Sequence, residues 1–249
     1  YDTTAPTLTL EQAAAQADPT IATPIVFTLS ANEPILASSV AISDFAATNG
    51  TITSVSCTGN ACTINVTPTT QGSVSIAPSG TFSIADLALN ATTTTVAGSD
   101  RSVTYDITAP ILTLAQAAGQ ADPAKSATIT FTLTANETIG ASSVSIADFI
   151  VTNGAIGTIG CSGSTCTIPV TPSGQGAVSI ATSPGFSVSD VAGNATAATV
   201  AGSDRSVTYD SIAPTLTLAQ AATQADPTNV SSIAFTLTGN ETIDASSVT

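Results

Sequence analysis

The chain repeats its own sequence at an interval of 104 residues, without a gap. Residues 1–6 (YDTTAP) return as residues 105–110 and 209–214, and residues 95–106 recur letter for letter as residues 199–210. One coil of a solenoid is far shorter than this period, whereas about 100 residues can bury a core of their own. The period therefore predicts a tandem array of whole domains: repeat 1 (residues 1–104), repeat 2 (residues 105–208) and repeat 3 (residues 209–249).

Repeat 3 is shorter than the other two. It ends at Thr249, which aligns with Ser145 and Ala41 in the middle of a predicted strand. A segment of this length does not usually bury a core unaided. We therefore expect the chain to be a window from a longer array. The alternative is that a neighbouring chain completes repeat 3, as in donor-strand complementation.

The charge and composition exclude several classes of protein. The chain has 17 acidic and 3 basic residues, for a formal net charge of −14, and it contains no histidine. Nucleic acids and anionic membrane surfaces need clustered basic residues, so neither is an expected partner. No stretch approaches the roughly 18 consecutive apolar residues that span a bilayer, so we expect no membrane insertion in this segment. Without histidine the usual general base is missing, and we expect neither an enzyme nor an organic cofactor.

Apolar residues alternate with polar ones along most of each copy. In repeat 2, Ile129, Phe131 and Leu133 would share one face of a strand, with threonines on the other face. Such alternation is typical of strands with one buried and one solvated face. Further alternating pairs are Leu8 and Leu10, Val40 and Ile42, Ile64 and Val66, Val74 and Ile76, and Val103 and Tyr105. About seven runs per copy predict an all-β fold of tandem antiparallel β-sandwiches of immunoglobulin size.

Three local patterns lead to further expectations. Residues 11–17 (EQAAAQA) connect the first two predicted strands and allow one short helical turn, which Asp18-Pro19 would stop. Pro169 lies inside a strand run, and this predicts a sheet edge or a bulge. Arg101 follows Asp100, as Arg205 follows Asp204, and this predicts a local surface ion pair in each copy.

Each of the first two copies contains one closely spaced cysteine pair. Cys57 and Cys62 lie between strand-like runs, as do Cys161 and Cys166. The spacing favours a disulfide that closes a β-hairpin. A zinc site and a redox-active pair are the alternatives, although zinc usually needs further cysteines or histidines at one site. Disulfides imply an oxidising compartment, so we expect an extracellular or cell-surface location.

Four ordered motifs give the chain a family resemblance. They are DTTAPTLTL (residues 2–10), FTLSANEPI (residues 27–35), SSVAISDFAATNGTI (residues 38–52) and FSVSDVAGNAT (residues 186–196). With them the chain resembles the bacterial Ig-like repeats of large extracellular surface proteins and adhesins. The departures are the cysteine hairpin and Leu87-Ala88-Leu89, where the second copy has Val191-Ala192-Gly193. The resemblance implies an extended extracellular array, often stiffened by Ca²⁺ between domains.

Oxygen-bearing side chains are placed so that they would meet at the domain junctions. In a seven-strand sandwich the entry linker, the B–C loop and the F–G loop lie at one pole. Carboxylates and amides there would suit Ca²⁺, although Asp and Asn also make turns without any metal. The candidate calcium ligands are Asp2, Glu33, Asp86 and Asn90 in repeat 1, Asp106, Glu137, Asp190 and Asn194 in repeat 2, and Asp210 and Glu241 in repeat 3.

These observations favour a structural array that forms an extracellular stalk, filament or adhesin shaft. Its expected partners are neighbouring Ig-like repeats or copies of itself. One alternative is a module that binds host or matrix glycans or proteins by avidity, although tryptophan, the usual sugar-stacking residue, is absent. The other is a self-assembling filament subunit whose incomplete third domain is completed by a neighbouring chain.

Overall fold

All regular structure in the described residues consists of β-strands and single turns of 3₁₀ helix. The computed structural model describes residues 1–93, 96–196, 200–202 and 204–248. Thr95 and Thr199, which open the two identical stretches, and Thr249, the last residue of repeat 3, lie outside the described residues. In this part of the chain no helix is long and apolar enough to span a membrane.

The strands are numbered in chain order. Repeat 1 contains β1 (Leu8–Gln12), β2 (Ile25–Ala31), β3 (Phe45–Thr48), β4 (Gly50–Thr58), β5 (Ala61–Pro68), β6 (Gly72–Pro78), β7 (Ile84–Ala85), β8 (Ala91–Thr92), β9 (Val96–Ala97) and β10 (Ser102–Tyr105). Repeat 2 contains β11 (Leu112–Gln116), β12 (Ile129–Ala135), β13 (Phe149–Thr152), β14 (Gly154–Ile156), β15 (Gly160–Ser162), β16 (Thr165–Pro172), β17 (Gly176–Thr182), β18 (Val188–Ser189), β19 (Ala195–Thr196) and β20 (Ser206–Tyr209). Repeat 3 contains β21 (Leu216–Gln220) and β22 (Phe235–Gly239).

Repeat 1 contains two larger sheets with an Ig-type strand order, besides the two-stranded sheet β7-β8. One sheet runs β4-β5-β2-β1-β9 and the other β10-β6-β3, with antiparallel pairing everywhere except between β1 and β9. Strands β1 to β6 and β10 therefore take the places of strands A to G of an Ig sandwich. In repeat 2 the sheets are β11-β12-β16-β14, with β15 also paired to β16, and β13-β17-β20. The segment between strands F and G contains the short strands β7, β8 and β9, or β18 and β19 in repeat 2.

The alternating apolar residues form the core between the two sheets. Phe27 on β2 lies opposite Ile64 on β5, and both are fully buried. They belong to one cluster with Val74 and Ile76, which lie on β6 in the other sheet. Each large side chain buried in this way contributes about 1.5–3 kcal/mol. Two sheets packed face to face confirm the predicted β-sandwich class.

The buried side chains divide into two clusters, one within residues 8–103 and the other within residues 112–207. Each of the first two copies thus has apolar side chains packed among themselves. The domain boundaries at residues 104 and 208 stay a prediction.

Repeat 3 has a different environment. Its hairpin β21–β22 keeps the register of β1–β2, with Leu218 opposite Leu237 as Leu10 is opposite Leu29. Its apolar side chains are nevertheless exposed, because the described residues of repeat 3 contain no strand that covers them. The exposed set is Leu216, Leu218, Ile233, Phe235 and Leu237.

The predicted strand at Val40 and Ile42 is wrong. Two 3₁₀ turns, Ala37–Ser39 and Ile42–Asp44, occupy this segment, and strand C begins only at Phe45. The Asp44 carboxylate accepts a hydrogen bond from the backbone N–H of Ala41 (2.6 Å). A short side chain that bonds to the backbone of a residue close to it in the chain competes with the strand ladder. Repeat 2 shows the same arrangement at Ile146–Asp148.

The helical turn allowed at residues 11–17 does not form. Strand β1 continues to Gln12, whose backbone N–H donates to the carbonyl of Asp100 (2.7 Å). A tight turn follows, in which Gln16 N–H donates to the Ala13 carbonyl (2.8 Å). The Gln16 side chain then accepts from Val26 N–H (2.8 Å). The bonds to Val26 on β2 and to Asp100 in the F–G segment outweigh the helix propensity of alanine and glutamine.

The prediction for Pro169 is half right. Its strand, β16, is not at an edge, because it pairs with β12 on one side and with β14 and β15 on the other. The irregularity lies in the neighbouring strand, which is interrupted between Ile156 and Gly160 beside the proline. Repeat 1 has Asn65 at this position and a register shift between Ile52 and Ser54 instead. A proline without an N–H is thus accommodated by a break in the strand next to it.

The predicted Asp–Arg surface pairs are wrong. The Arg101 guanidinium donates to the backbone carbonyls of Leu10 (3.2 Å), Ala97 (2.9 Å) and Val96. Asp100 instead accepts from the side-chain amide of Gln12 (2.6 Å). Arg205 has the equivalent partners in repeat 2, so each arginine ties the F–G segment to strand A.

Candidate functional site

Three carboxylates from distant parts of the sequence meet at the N-terminal pole of repeat 1. Asp2 lies before strand A, Glu33 follows strand B, and Asp86 follows β7 in the F–G segment. One carboxylate oxygen of each lies within 4.8 Å of the other two. Because the Ig topology brings these loops to one pole, residues up to 84 positions apart in sequence become neighbours.

Repeat 2 contains the same constellation. Asp106, Glu137 and Asp190 each place one carboxylate oxygen within 4.8 Å of the others. Asp106 directly follows Tyr105, the last residue of β10, so this group lies where repeat 1 passes into repeat 2. The two groups are called the first and second triads below.

The F–G aspartate is the most deeply buried member of each triad. Asp86 is 2 % exposed and accepts hydrogen bonds from the backbone N–H groups of Ala88 (2.7 Å) and Asn90 (2.9 Å). Burial alone would raise the pKa of Asp86. Hydrogen bonds from Asn90, Ala88 and Leu89 outweigh burial, so the net effect lowers the pKa. Asp86 therefore carries its negative charge across the neutral pH range.

The asparagine predicted as a ligand acts as a donor. The side-chain N–H of Asn90 donates to Asp86 Oδ2 (2.8 Å) and to the backbone carbonyl of Asp2 (3.2 Å). Asn194 makes the same two bonds, to Asp190 Oδ2 (2.9 Å) and to the Asp106 carbonyl (2.9 Å). The amide nitrogen, and not the amide oxygen, faces the aspartate. These asparagines thus position the aspartate and the entry linker.

The glutamate of each triad is surrounded by negative charge. Burial, followed by the charges of Asp106 and Asp190, raises the pKa of Glu137 above its ordinary value. Burial and the charges of Asp2 and Asp86 do the same to the pKa of Glu33. Glu137 Oε1 is buried and accepts no hydrogen bond within the described residues. Three carboxylates this close repel one another, and a proton or a cation between them would relieve this repulsion.

The spacing of each triad fits a calcium ion. Ca²⁺ binds carboxylate oxygens at about 2.4 Å, so two of its ligands lie at most about 4.8 Å apart. A turn-forming role is present as well, since Asp2 Oδ1 accepts from Thr4 N–H (3.0 Å) and Asp106 Oδ1 from Thr108 N–H (3.0 Å). The first aspartate of each triad therefore shapes the linker and still has its second carboxylate oxygen for an ion.

The remaining predicted ligands, Asp210 and Glu241, lie in repeat 3. Asp210 Oδ1 accepts from Ile212 N–H (3.1 Å), as the aspartates of the other two linkers do. Glu241 Oε1 is buried and accepts no hydrogen bond within the described residues. The position that corresponds to Asp190 would fall beyond residue 249, so a third triad cannot be described.

The linker between repeats 1 and 2 is hydrogen-bonded to both of them. On the repeat 1 side, Thr20 in the A–B loop donates through its N–H to the Thr104 carbonyl (3.0 Å) and accepts from Asp106 N–H (3.0 Å). The Thr108 hydroxyl donates to Gln71 Oε1 in the E–F loop (2.6 Å). On the repeat 2 side, Asn194 binds the Asp106 carbonyl.

The next junction repeats this pattern. Ala124 takes the place of Thr20 and exchanges backbone bonds with Thr208 and Asp210 (both 2.8 Å). Gln175 takes the place of Gln71 and bonds to Ser211 through both its amide nitrogen (2.7 Å) and its amide oxygen (3.1 Å). The role of these glutamines was not predicted from the sequence. Their recurrence at the same place in both copies was the available signal.

The first triad lines a cleft at the pole of repeat 1. The cleft has a volume of about 350 Å³. Its walls are Asp2, Glu33, Pro34, Asp86, Leu87 and Ala88.

Both cysteine pairs are joined as disulfides. Cys57 and Cys62 lie directly opposite each other on β4 and β5, and Cys161 and Cys166 do so on β15 and β16. Cys62 and Cys166 are fully buried in their cores. The bridges thus close the D–E hairpins. The turn of the first hairpin is bonded to the B–C loop on both sides of Glu33, because Ala31 N–H donates to the Asn60 carbonyl (2.8 Å) and Ile35 N–H to the Gly59 carbonyl (3.0 Å).

Comparisons with known proteins do not assign this chain to a family. No family model matches the chain, and no curated protein matches it. Among solved structures, the chain is similar to FdeC, an Escherichia coli adhesin, with 12 % identity and a TM-score of 0.42, over 95 % of this chain and 74 % of that one. It is also similar to the Yersinia pseudotuberculosis adhesin InvE, with 14 % identity and a TM-score of 0.27, over 82 % of this chain and 58 % of that one. At these values the likeness does not bear on function.

Proposed function

We propose that this chain is a segment of an extracellular stalk, filament or adhesin shaft built from Ig-like repeats. The observation that carries the proposal is the linker at Asp106. It is bonded to the A–B and E–F loops of the repeat before it and to the F–G loop of the repeat after it. A linker held on both sides limits how far one repeat can swing relative to the next. A row of such repeats would keep its length, which is what a spacer needs.

The disulfides and the surface composition support an extracellular place for this shaft. Hairpin disulfides persist in oxidising compartments. Few charged residues and many Thr and Ser residues suit a surface with few sites for trypsin-like proteases. A non-enzymatic role and the binding of host or matrix glycans or proteins both stay predictions.

We further propose that Ca²⁺ binds at the triads and stiffens the junctions. Three carboxylate oxygens within 4.8 Å supply hard ligands at a suitable spacing, and Glu137 Oε1 has no hydrogen-bond donor within the described residues. In the second triad Asp106 belongs to the linker, while Glu137 and Asp190 belong to the loops of repeat 2. An ion held by all three would fasten the linker to that repeat.

Two measurements on the full chain test the spacer proposal and the calcium proposal. They are small-angle X-ray scattering and thermal unfolding, each in Ca²⁺ and in EDTA. We expect an elongated particle in Ca²⁺, and a lower Tm with a broader distribution of shapes in EDTA. Glu137→Gln should abolish the part of the EDTA effect that comes from the second triad, whereas Glu11→Gln, outside the triads, should leave the whole effect intact. If EDTA changes neither length nor Tm, the calcium part is wrong. If the particle is compact in both conditions, the spacer itself is wrong.

A self-assembling filament is the second candidate, because the repeat 3 hairpin exposes its apolar face. Leu218 is 68 % exposed and Phe235 is 63 % exposed, whereas their counterparts Leu10 and Phe27 are fully buried. Exposed apolar surface of this kind is suited to a partner that completes the sandwich. Analytical ultracentrifugation should then show concentration-dependent assembly, which deletion of residues 209–249 removes. A monomer at every concentration would rule this candidate out.

A further inference from the structure

One apolar side chain of repeat 1 reaches the F–G loop of repeat 2. A methyl group placed on Gly193 would lie 3.8 Å from Cδ1 and 4.0 Å from Cγ1 of Ile21, which is ordinary van der Waals contact. Ile21 lies at the tip of the A–B loop of repeat 1. The two residues are therefore neighbours across the junction, although they belong to different copies of the repeat.

Both sides of this contact are held to the same linker residue. Thr20, immediately before Ile21, is buried and accepts a hydrogen bond from Asp106 N–H. On the other side, Gly193 N–H donates to Asp190 Oδ1 (2.7 Å), and Asn194 binds the Asp106 carbonyl (2.9 Å). The spacing between Ile21 and position 193 therefore depends on few free torsions. The size of the two side chains should then matter.

The equivalent positions in the other copies carry different residues. Leu89 occupies the place of Gly193 in the F–G loop of repeat 1, where it is 72 % exposed at a φ of 71°. A leucine at position 193 would extend three carbons beyond that methyl group, beside Ile21, whose side chain is 43 % exposed. The place of Ile21 is taken by Lys125 in repeat 2 and by Asn229 in repeat 3. The copies thus differ at the two positions that meet across the junction.

We propose that residue size at these two positions specifies which repeat can follow which. A loop with glycine, as in repeat 2, accepts the Ile21 tip. A loop with Leu89, as in repeat 1, rejects that tip and accepts only a repeat with a smaller residue there. The partner of the repeat 1 pole is thus another repeat of this type whose A–B tip is small, and a second copy presenting Ile21 is excluded. Specificity from a clash with the wrong partner is a general device in protein recognition. The inference rests on the proposed spacer function.

The test uses the full chain and measures the orientation of repeats 1 and 2 from NMR residual dipolar couplings. In the wild type we expect repeats 1 and 2 to share one alignment. Gly193→Leu should abolish this common alignment, and the double variant Gly193→Leu/Ile21→Ala should restore it. Leu89→Gly is the matched control and should leave the alignment unchanged. Leu89 adopts a φ of 71°, whereas Gly193 has a φ of 100°, so Gly193→Leu also strains the backbone of this loop.

Ile21→Trp enlarges the same contact from the other side and leaves the strained loop unaltered. If Gly193→Leu prevents folding of repeat 2, Ile21→Trp replaces it in the test. We expect Ile21→Trp to cause the same loss of common alignment of repeats 1 and 2. The proposal is overturned if folded Gly193→Leu or Ile21→Trp keeps the wild-type alignment, or if Ile21→Ala fails to rescue a folded Gly193→Leu. Independent tumbling of the two repeats in the wild type would instead contradict the spacer function.

Discussion

Hairpins β1–β2 and β21–β22 have nearly the same sequence and the same register but opposite surroundings. Leu10 pairs with Leu29, and Leu218 pairs with Leu237. Leu10 is fully buried, whereas Leu218 is 68 % exposed. Register thus follows from the local sequence, while burial depends on strand E and the second sheet, which cover the hairpin in repeat 1.

The difference matters for stability, because a two-stranded hairpin alone is marginally stable in water. Its alternating side chains contribute only when other strands remove them from solvent. In repeats 1 and 2 the strands β5 and β16 supply one side of that cover. The local sequence therefore forms the hairpin, whereas the strands that cover it stabilise it.

The largest expected effect comes from truncating the same phenylalanine in the two environments. Phe131→Ala removes a fully buried ring and should destabilise repeat 2 by about 3–5 kcal/mol. Phe235→Ala removes an exposed ring and should change stability by no more than about 0.5 kcal/mol. Urea unfolding followed by NMR signals assigned to each repeat measures both. Equal losses at the two positions would mean that another strand covers β21–β22 in solution.

A smaller effect is expected from the disulfide at the end of the covering strand β16. Replacing Cys161 and Cys166 together by alanine should destabilise repeat 2 by less than about 3 kcal/mol, because the bridge closes a much shorter loop than the 15 residues for which that value holds. The same urea experiment measures it, and the Cys57/Cys62 pair replaced by alanine serves as a matched control in repeat 1. Failure of repeat 2 to fold would show that the bridge holds more than the D–E hairpin.

The smallest expected effect is a pH dependence of stability that comes from the second triad. The described part of repeat 3 contains no complete triad, so this effect belongs to repeat 2. The pKa of Glu137 is raised above 4.5, so the folded chain binds more protons than the unfolded chain between that value and the raised one. In EDTA the contribution of Glu137 to the stability of the folded chain is present below pH 4.5. This contribution is lost as the pH rises through the raised pKa of Glu137. Glu137→Gln should remove this part of the dependence of Tm on pH.

The matched control for the pH experiment is Glu11→Gln, which lies outside the triads. It should keep the fall in Tm with rising pH that the wild type shows in EDTA. A wild-type slope that persists in Glu137→Gln would assign the pH dependence to other carboxylates.

Much of the fold was predictable from the alternation of apolar residues. Runs such as Ile129, Phe131 and Leu133 predicted strands that the structure contains, and the Ig strand order followed from their number. The segment at Val40 was mispredicted because a single carboxylate, that of Asp44, accepts a hydrogen bond from the backbone N–H of Ala41, three residues before it. Alternation over two apolar residues cannot reveal such a local competitor.

The candidate site was predictable in part. The loop positions of Asp2, Glu33 and Asp86 follow from the topology, and the structure brings their carboxylates together. Which way an amide faces does not follow from topology, so Asn90 was expected to offer an oxygen. The role of Arg101 was missed for a related reason, since its carbonyl partners on strand A and in the F–G segment become neighbours only after folding.

The sequence by itself determined the repeat, the strands and the register of each hairpin, because these depend on residues close together in the chain. Only the tertiary structure decided which apolar faces are buried, which carboxylates share one pole and which residues meet across a junction. Leu10 and Leu218 have nearly the same neighbours in sequence, and Ile21 lies far from Gly193 along the chain. Burial and contact depend on the strands and loops that surround a residue in space, and local sequence does not specify those.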